Sequence, residues 1–269
     1  MNTRVMLAFL ERDFLINISY RLAFVMQIAG IFLGVTIFFF ISRIFGAAAI
    51  PILADYGGNY FAFVLIGVTF SDYLAVGLGS LASTIRNGQV TGTLEVMLVT
   101  PTRLSTILVS SSLWSFIFPT LRVAVFLLFG ALVFGMDLSH TNVVSSLVVL
   151  LVSIVCFTGF GLVSASFVMV FKQGDLLSAV ITTLSGLFGG TLYPTEVLPA
   201  PLQVISSLLP LTYSLRAIRL AVLQGYGLDQ LQGDLFALVL FTLILVPMGF
   251  VCFGFAVGRA KMDGSLAQY

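Results

Sequence analysis

Long runs of apolar residues, separated by short polar stretches, make up most of this sequence. Six runs have the roughly 20 residues that a helix needs to cross a lipid bilayer. They are Leu22–Ser42, Tyr60–Ala82, Leu104–Phe134, Thr141–Phe171, Leu176–Thr195 and Leu235–Gly258. The charged residues inside these runs are Asp72 and Arg122. The pattern therefore predicts an all-α membrane protein with six transmembrane helices.

The apolar stretch Pro194–Gly225 contains four of the eight prolines and does not fit a single straight helix. Proline removes a backbone N–H donor and obstructs the preceding helical turn. Two short helices are expected instead, at about Leu202–Leu209 and Leu211–Leu223, the second closed by Gly225. Such broken helices persist at membrane depth only where protein or a water-filled cavity covers them. We therefore expect a re-entrant helical hairpin over about residues 196–225, between spans five and six.

The first 21 residues are amphipathic. Apolar residues recur along one helical stripe, at Leu7, Leu10, Phe14 and Ile18. Charged residues interrupt the segment, at Arg4, Glu11, Arg12 and Asp13. A helix of this kind lies in the plane of the membrane interface. The expected organisation is an interfacial helix at 1–21 and one membrane domain at 22–269.

Lysine and arginine predict the orientation, because cytoplasmic loops of membrane proteins carry an excess of them. With both termini in the cytoplasm, eight of these residues lie inside, three lie outside and Arg122 lies within a span. The sequence thus predicts a multi-pass protein of the plasma (bacterial inner) membrane with cytoplasmic N and C termini.

Composition excludes most other classes of protein. The 269 residues are 59% hydrophobic and 9% charged, whereas a soluble domain carries roughly a quarter charged residues. The net charge of +1 provides no basic surface for nucleic acid. The single histidine, His140, excludes a histidine-based metal cluster within one chain. We expect membrane lipids as partners, and no cofactor or metal in this chain.

The chain contains no GxxxxGK[ST] loop, and neither Lys172 nor Lys261 follows a glycine. Without that loop it is not expected to bind nucleotide phosphates or to be an enzyme by itself. Any ATP and Mg would be used by a partner subunit. A proton-coupled carrier usually needs several buried acids, and here only Asp72 and Glu196 are candidates.

The loop at residues 86–103, RNGQVTGTLEVMLVTPTR, predicts a short helix on the cytoplasmic face, over about 87–101. Gly88 is expected to break the end of the second span, and Pro101 to stop the short helix. Glu95 lies in its first turn, where the helix dipole favours a carboxylate. An apolar stripe follows the helix, at Leu94, Met97 and Leu98. The helix either docks on a partner or rests on lipid headgroups.

Two strings carry a resemblance to a known family. GTLEVMLVTPTR, in this loop, resembles the first cytoplasmic loop of ABC transporter permeases of the type-2 exporter family. YPTEVLPAPLQVISSLLPLTYSLRAIRL, at 193–220, is similar to the pattern that follows the fifth span in that family. Length, span number and the order of the two strings also match, so the resemblance covers essentially the whole chain.

The resemblance implies a homodimer of six-span subunits docked on two copies of a separate ABC ATPase subunit. It implies that the 86–103 loop is a coupling helix, a role that falls by position on Gly92, Thr93, Leu94, Glu95, Thr100 and Pro101, with Met97 and Leu98 of the apolar stripe beside them. The N-terminal helix also touches the ATPase in this family, which gives as secondary contacts Glu11, Arg12 and Asp13. A helix lying passively on headgroups is the alternative for that segment.

The function expected from these features is export of a substrate between two subunits. The alternatives are a non-transporting membrane scaffold with the same fold and a stand-alone ion-coupled carrier. Polysaccharide exporters of this class, as the resemblance implies, line a wide path with tyrosine and tryptophan. Here phenylalanine outnumbers tyrosine 26 to 8, and Trp114 is the single tryptophan. This balance favours an amphipathic drug, lipid or glycolipid over a polysaccharide.

The hairpin offers a candidate outer gate made of apolar residues, Leu198, Leu202, Ile205 and Leu209. It would either open during export or form a static lid. A cysteine at Ser206 is expected to label from outside if the hairpin is on that side. Arg216 and Arg219 share a face near the outer surface, where anchoring to lipid headgroups is the default expectation.

The two intramembrane charges, Asp72 and Arg122, are expected not to pair. Asp72 lies about 18 Å below the outer end of its span, and Arg122 roughly 21–27 Å from the inner face. In a core about 30 Å thick their heights would differ by on the order of 10 Å. Arg122 is therefore expected to extend to the outer interface, and Asp72 to line a pathway or cap a neighbouring backbone.

Overall fold

The computed structural model describes residues 21–49, 51–90, 104–171 and 176–262. Within these ranges the chain is helical and contains no strand. The α-helices are α1 (Arg21–Ala49), α2 (Tyr60–Val90), α3 (Leu104–Leu132), α4 (Val143–Phe171), α5 (Leu176–Phe188), α6 (Ala200–Ser207), α7 (Pro210–Leu223) and α8 (Gln232–Met262). Short 3-10 turns lie at Ala54–Tyr56 and Thr195–Val197.

Four helical stretches in the described residues are long and apolar enough to cross a membrane. They are Tyr60–Arg86, Ser115–Leu132, Val143–Phe171 and Gln232–Arg259. Two shorter apolar stretches, Ala29–Ile44 and Leu177–Phe188, lie on α1 and α5. The chain is an integral membrane protein, and the expectation of six spans stays a prediction.

The centre of the bundle is a column of three helices, α2, α4 and α8, joined through glycine. A Cβ built on Gly77 of α2 would lie 2.7 Å from Phe157 Cβ, and one on Gly161 of α4 would overlap the carbonyl oxygen of Gly77. On the other side of α4, a Cβ on Gly249 of α8 would lie 2.9 Å from the carbonyl oxygen of Gly159. The helices of this column therefore touch backbone to backbone.

Three glycine pairs have the small-xxx-small spacing that permits close helix contact, Gly30–Gly34, Gly186–Gly190 and Gly254–Gly258, but they do not form these contacts. A Cβ added to Gly30, Gly186, Gly254 or Gly258 would meet nothing within 4 Å. Gly190 lies outside the helices, at φ +84°. Close helix packing within the chain thus uses other glycines, and the spacing alone did not identify them.

Two helix ends differ from the sequence prediction. α2 continues through Gly88 to Val90, since one glycine costs a helix only about 1 kcal/mol. α5 ends at Phe188 rather than near residue 195. Gly190 adopts a positive φ two residues later, a conformation that only glycine reaches without strain. α5 therefore has 13 residues, about 20 Å of helix.

The prolines of the 194–225 segment lie where helices begin. Pro201 is in the first turn of α6 and Pro210 is the first residue of α7, positions where the missing N–H costs little. Gly225 follows α7 with φ +70°. The two short helices expected from the sequence are present, shifted by one or two residues.

α7 ends at the same end of the bundle at which α2 and α4 begin. The backbone N–H of Asn142 donates to the carbonyl oxygen of Ala221 (2.9 Å), and Thr141 Oγ1 donates to that of Val222 (2.9 Å). Further along both helices, Ser153 Oγ donates to Ser214 Oγ at 2.9 Å. We call this the hairpin end.

Candidate functional site

α2 differs from the other long helices in what it exposes. Its exposed or half-exposed positions include Val68, Asp72, Ala75, Gly79, Ser83 and Arg86. None of its described side chains is a large apolar residue that is exposed. α8, in contrast, exposes Phe236, Leu243, Val251 and Phe255 by between 67% and 73%. Exposed apolar residues suit contact with lipid, whereas the surface of α2 suits water or a polar ligand.

These six positions of α2 recur every three or four residues and therefore share one helix face. From Val68 to Arg86 the face is about 27 Å long at 1.5 Å per residue, close to the roughly 30 Å hydrocarbon core of a bilayer. Ser80 and Thr84 flank it and are half-buried. We call this face the α2 stripe.

Asp72 of the stripe forms an ion pair with Arg122 of α3, with 3.2 Å between Asp72 Oδ2 and Arg122 Nη1. The prediction that the two do not pair is wrong. The prediction measured the two depths from opposite faces of a core about 30 Å thick. α2 and α3 have 31 and 29 residues, so each helix is longer than that core is thick. Measured from the hairpin end of each helix, Asp72 is about 18 Å deep and Arg122 about 15 Å. The charges are thus almost level.

The ion pair is only partly enclosed. The side chains of Asp72 and Arg122 are 34% and 37% exposed. The Arg122 guanidinium lies over the ring of Phe126, with Cζ 5.5 Å from the centroid. Arg122 Nε is buried and has no hydrogen-bond partner among the described residues. Arg122 therefore keeps a donor that Asp72 does not use.

A second ion pair lies at the hairpin end, and we call it the closed pair because its carboxylate is buried, although its Arg216 side chain is 43% exposed. Arg216 Nε donates to Asp234 Oδ1 at 2.8 Å and to Oδ2 at 3.1 Å, and Arg216 Nη2 also contacts Oδ1. The Asp234 side chain is 8% exposed and lies in the first turn of α8. This pair ties α7 to α8, so Arg216 is not simply a headgroup anchor.

Arg219 of α7 is buried at 2% exposure, and the expectation that it anchors to lipid headgroups is wrong. Its Nε donates to the carbonyl oxygen of Phe63 (3.1 Å), Nη1 to that of Gly190 (2.7 Å) and Nη2 to that of Thr191 (2.8 Å). Its Cζ lies 3.4 Å from the ring centroid of Phe63. The carbonyls that follow α5 have no helical partner, so Arg219 occupies the place that solvent would take.

Gly67 of α2 is required for this arrangement. A Cβ at Gly67 would overlap the carbonyl oxygen of Thr191 and the Nη2 of Arg219. α2, the turn after α5 and α7 are thus joined at one point by a single guanidinium. We call Arg219 with its three carbonyls the arginine clamp.

Tyr56, in the 3-10 turn before α2, lies near the clamp and is 8% exposed. Burial, with a smaller contribution from the charge of Glu196, raises the pKa of Tyr56 to about 12. Its ring is 5.1 Å from the ring of Phe63, which it meets edge-on. Tyr56 is therefore a neutral packing residue of the hairpin end.

A family model described as ABC-2 type transporter matches residues 89–223, half of the chain. The chain belongs to the ABC-2 type transporter family. It is the transmembrane component of such a transporter. A search of curated proteins found no match to the chain.

Within this ABC-2 permease, the family match runs from the last residues of α2 to the end of α7. It includes Arg122, Arg219 and the clamp carbonyls of Gly190 and Thr191. It begins after Asp72 and after Phe63, which provides the third clamp carbonyl. Permeases of the family normally work with an ATPase subunit. The membrane component itself is normally not catalytic.

The predicted contacts of the ABC-2 permease with an ATPase lie outside the described residues. This holds for the coupling positions, Gly92, Thr93, Leu94, Glu95, Met97, Leu98, Thr100 and Pro101, and for the N-terminal ones, Glu11, Arg12 and Asp13. These assignments stay predictions.

The candidate gate residues do not share one environment. Leu198, Leu202 and Leu209 are half-buried, whereas Ile205 is 41% exposed. Opening during export and static packing both stay predictions. Ser206 is buried and donates to the carbonyl oxygen of Phe188 at 2.6 Å. A cysteine at that position is therefore a poor reporter of sidedness.

The arginine clamp and the extent of the α2 stripe were not identified from the sequence. The stripe had a visible signal, because small and polar residues at helical spacing interrupt an otherwise Phe-, Leu- and Val-rich helix. The arginine clamp had no signal in the sequence, because its acceptors are backbone carbonyls of Phe63 and of the turn at Gly190 and Thr191.

Proposed function

We propose that this ABC-2 permease is the membrane subunit of an ATP-driven exporter. Two copies form the substrate path, and separate ATPase subunits drive it through the 86–103 loop. The observation that carries the proposal is the α2 stripe, a face of small and polar residues along most of a long helix in a protein of this transporter family. ATP and Mg act in the ATPase, since the chain has no nucleotide-binding loop.

The proposed topology has six spans, with both termini in the cytoplasm of a bacterial inner membrane. The spans are α1, α2, α3, α4, the shorter α5 and α8, and the hairpin of α6 and α7 re-enters from outside. The bonds of α7 to Thr141 and Asn142 support a return to the hairpin end. The lysine and arginine distribution supports the orientation.

The α2 stripe lines the substrate path in this proposal. A lipid-facing helix would expose large apolar side chains along that face, as α8 does. Facing a second copy of the stripe, α2 would enclose a channel whose walls are small side chains, hydroxyl groups and one ion pair. Such walls suit water and polar headgroups better than acyl chains.

The proposed substrate is an amphipathic drug, lipid or glycolipid. The described stripe contains no aromatic residue on which sugar rings would stack. A long polysaccharide is therefore disfavoured, as the scarcity of tyrosine and tryptophan also indicates.

The experiment that tests the proposal reverses one charge in the coupling loop. The tagged permease, purified from its own membranes, should carry an ATPase subunit whose hydrolysis responds to the permease. Glu95→Arg should remove that response and lower ATPase recovery, because loss of a buried charge contact costs about 2–5 kcal/mol. The matched control is Glu196→Arg, an exposed residue near the hairpin end, which should leave both unchanged.

Three results would contradict the proposal. Full ATPase recovery and response in Glu95→Arg would contradict coupling through this loop. Purification with no ATPase would favour the scaffold, and transport by the chain alone under a proton gradient would favour the ion-coupled carrier.

A further inference from the structure

Asp72 and Arg122 form an ion pair that leaves both charges room for a second partner. The structure shows one contact between them, 3.2 Å from Nη1 to Oδ2, and each side chain stays about one-third exposed. The buried Nε of Arg122 has no hydrogen-bond partner among the described residues. A guanidinium has five N–H donors, and a carboxylate accepts several hydrogen bonds. Within the part of the chain that the structure describes, most of this capacity is unused.

The pair of Arg216 and Asp234 shows how this chain builds an ion pair for structure alone. There Nε contacts both carboxylate oxygens, at 2.8 and 3.1 Å, and the Asp234 carboxylate is 8% exposed although the Arg216 side chain is 43% exposed. Bidentate geometry of this kind adds both energy and fixed orientation. The open geometry of the Asp72–Arg122 pair lacks these features and suits a pair that exchanges partners.

In the described parts of α2 and α3, the other charged residue lies far from the open pair. Along the α2 stripe the next charge is Arg86, about 21 Å away at 1.5 Å per residue. On α3, Leu121 and Leu128 are 51% and 56% exposed; seven residues apart, they share one helix face beside that of Arg122. One positive charge, one negative charge and an apolar flank therefore lie together at about mid-depth of the helices.

The opposite charges of Asp72 and Arg122 determine which kind of ligand fits between them. A free anion at Arg122 would be repelled by Asp72, and a free cation at Asp72 would be repelled by Arg122. A group that carries both charges satisfies both residues at once, and its attraction to each residue stays favourable at the effective dielectric constant of a partly exposed site. We propose that Asp72 and Arg122 bind the headgroup of a zwitterionic amphiphile, with its cation on Asp72, its anion on Arg122 and its tail along the exposed leucines of α3. The proposal rests on the substrate path proposed above.

The test measures binding to the purified full-length permease in maltoside detergent. The probes are lysophosphatidylethanolamine (zwitterionic), lysophosphatidylglycerol (anionic) and dodecyltrimethylammonium (cationic). Wild type should bind the zwitterionic probe at least tenfold more tightly than either charged probe. Asp72→Asn should shift the preference to the anionic probe, and Arg122→Gln to the cationic probe. A structural role would not produce shifts of opposite sign.

The same substitutions in the closed pair, Asp234→Asn and Arg216→Gln, are the matched controls and should leave probe preference unchanged. The exchanged variant, Asp72→Arg with Arg122→Asp, should recover zwitterion preference, which keeps the test valid if a single variant misfolds. Equal binding of zwitterionic and anionic probes by wild type would overturn the proposal. So would unchanged preference in both single variants, or the same shifts in the controls.

A second measurement separates a transported amphiphile from a resident lipid. In the complex with its ATPase, a transported zwitterion should stimulate hydrolysis, and a resident lipid should bind without stimulation. The binding measurements need no ATPase. Failure of the exporter proposal through Glu95→Arg is therefore distinguishable from failure of the headgroup site.

Discussion

Replacing Arg219 with alanine should destabilise the permease more than replacing any exposed arginine with alanine. The substitution removes three hydrogen bonds from a guanidinium that is 2% exposed. It leaves the carbonyl oxygens of Gly190 and Thr191 without that donor in the interior. It also removes the packing of the guanidinium on the ring of Phe63, 3.4 Å from its centroid.

The expected size follows from the number of bonds. In soluble proteins a hydrogen bond to a charged group contributes about 1.5–3 kcal/mol, whereas interhelical bonds in membrane proteins average about 0.6 kcal/mol. Three bonds at the lower figure, with a small contribution from the lost ring contact, give about 2 kcal/mol. Orphaned buried groups cost about 1–3 kcal/mol each, so two orphaned carbonyls set an upper value of about 6 kcal/mol. At about 2–4 °C per kcal/mol, a loss of about 2 to 6 kcal/mol should lower the melting temperature by about 4–24 °C.

The assay heats the purified permease and measures the fraction that still elutes as a single species. Arg43→Ala is the matched control, since Arg43 is exposed and also lies over a ring, with Cζ 5.1 Å from the centroid of Phe39. Arg43→Ala should lower the free energy of unfolding by less than about 1 kcal/mol. Arg219→Lys should fall between wild type and Arg219→Ala, because one ammonium does not reproduce the planar fork. Equal melting of Arg219→Ala and Arg43→Ala would refute the clamp.

Two further predictions concern the glycine column and the α2 stripe. Gly161→Ala should cost about 1–3 kcal/mol by overpacking, whereas Gly254→Ala, where a Cβ meets nothing within 4 Å, should be neutral or stabilising; equal melting of the two would contradict the packing. In a background without native cysteines, Ala75→Cys should react with a membrane-impermeant thiol reagent at least tenfold faster than Val251→Cys, because only a thiol in contact with water ionises readily. Similar rates would place both helices in lipid.

The sequence predicted the helices well wherever apolar runs decided them. α4 and α8 cover the runs expected at Thr141–Phe171 and Leu235–Gly258, and proline located the starts of α6 and α7. Local composition was sufficient here, because a long apolar segment has few alternatives to a buried or lipid-facing helix. The helix ends were predicted less well, since α2 continues through Gly88, where the sequence predicted that it would end.

Pairing between helices was the part that the sequence did not predict. The level position of Asp72 and Arg122 follows from the full lengths of α2 and α3, which a fixed bilayer thickness does not provide. The burial of Arg219 follows from the turn at Gly190 and Thr191, which presents carbonyl oxygens without any side-chain signal. Both depend on contacts between distant segments, and single-sequence spacing carries no information about them.

The glycine contacts of α2, α4 and α8 also determine which parts of the permease can slide. Where backbones touch, as between Gly77 and Gly161, a translation of one helix past the other requires the whole interface to separate. α2 and α3 meet through side chains, among them Asp72 with Arg122 and Leu65 against Gly130, and side chains can change rotamer while the backbones shift. We therefore expect the three-helix column to move as one body and α3 to slide along it, with the open ion pair on the sliding surface.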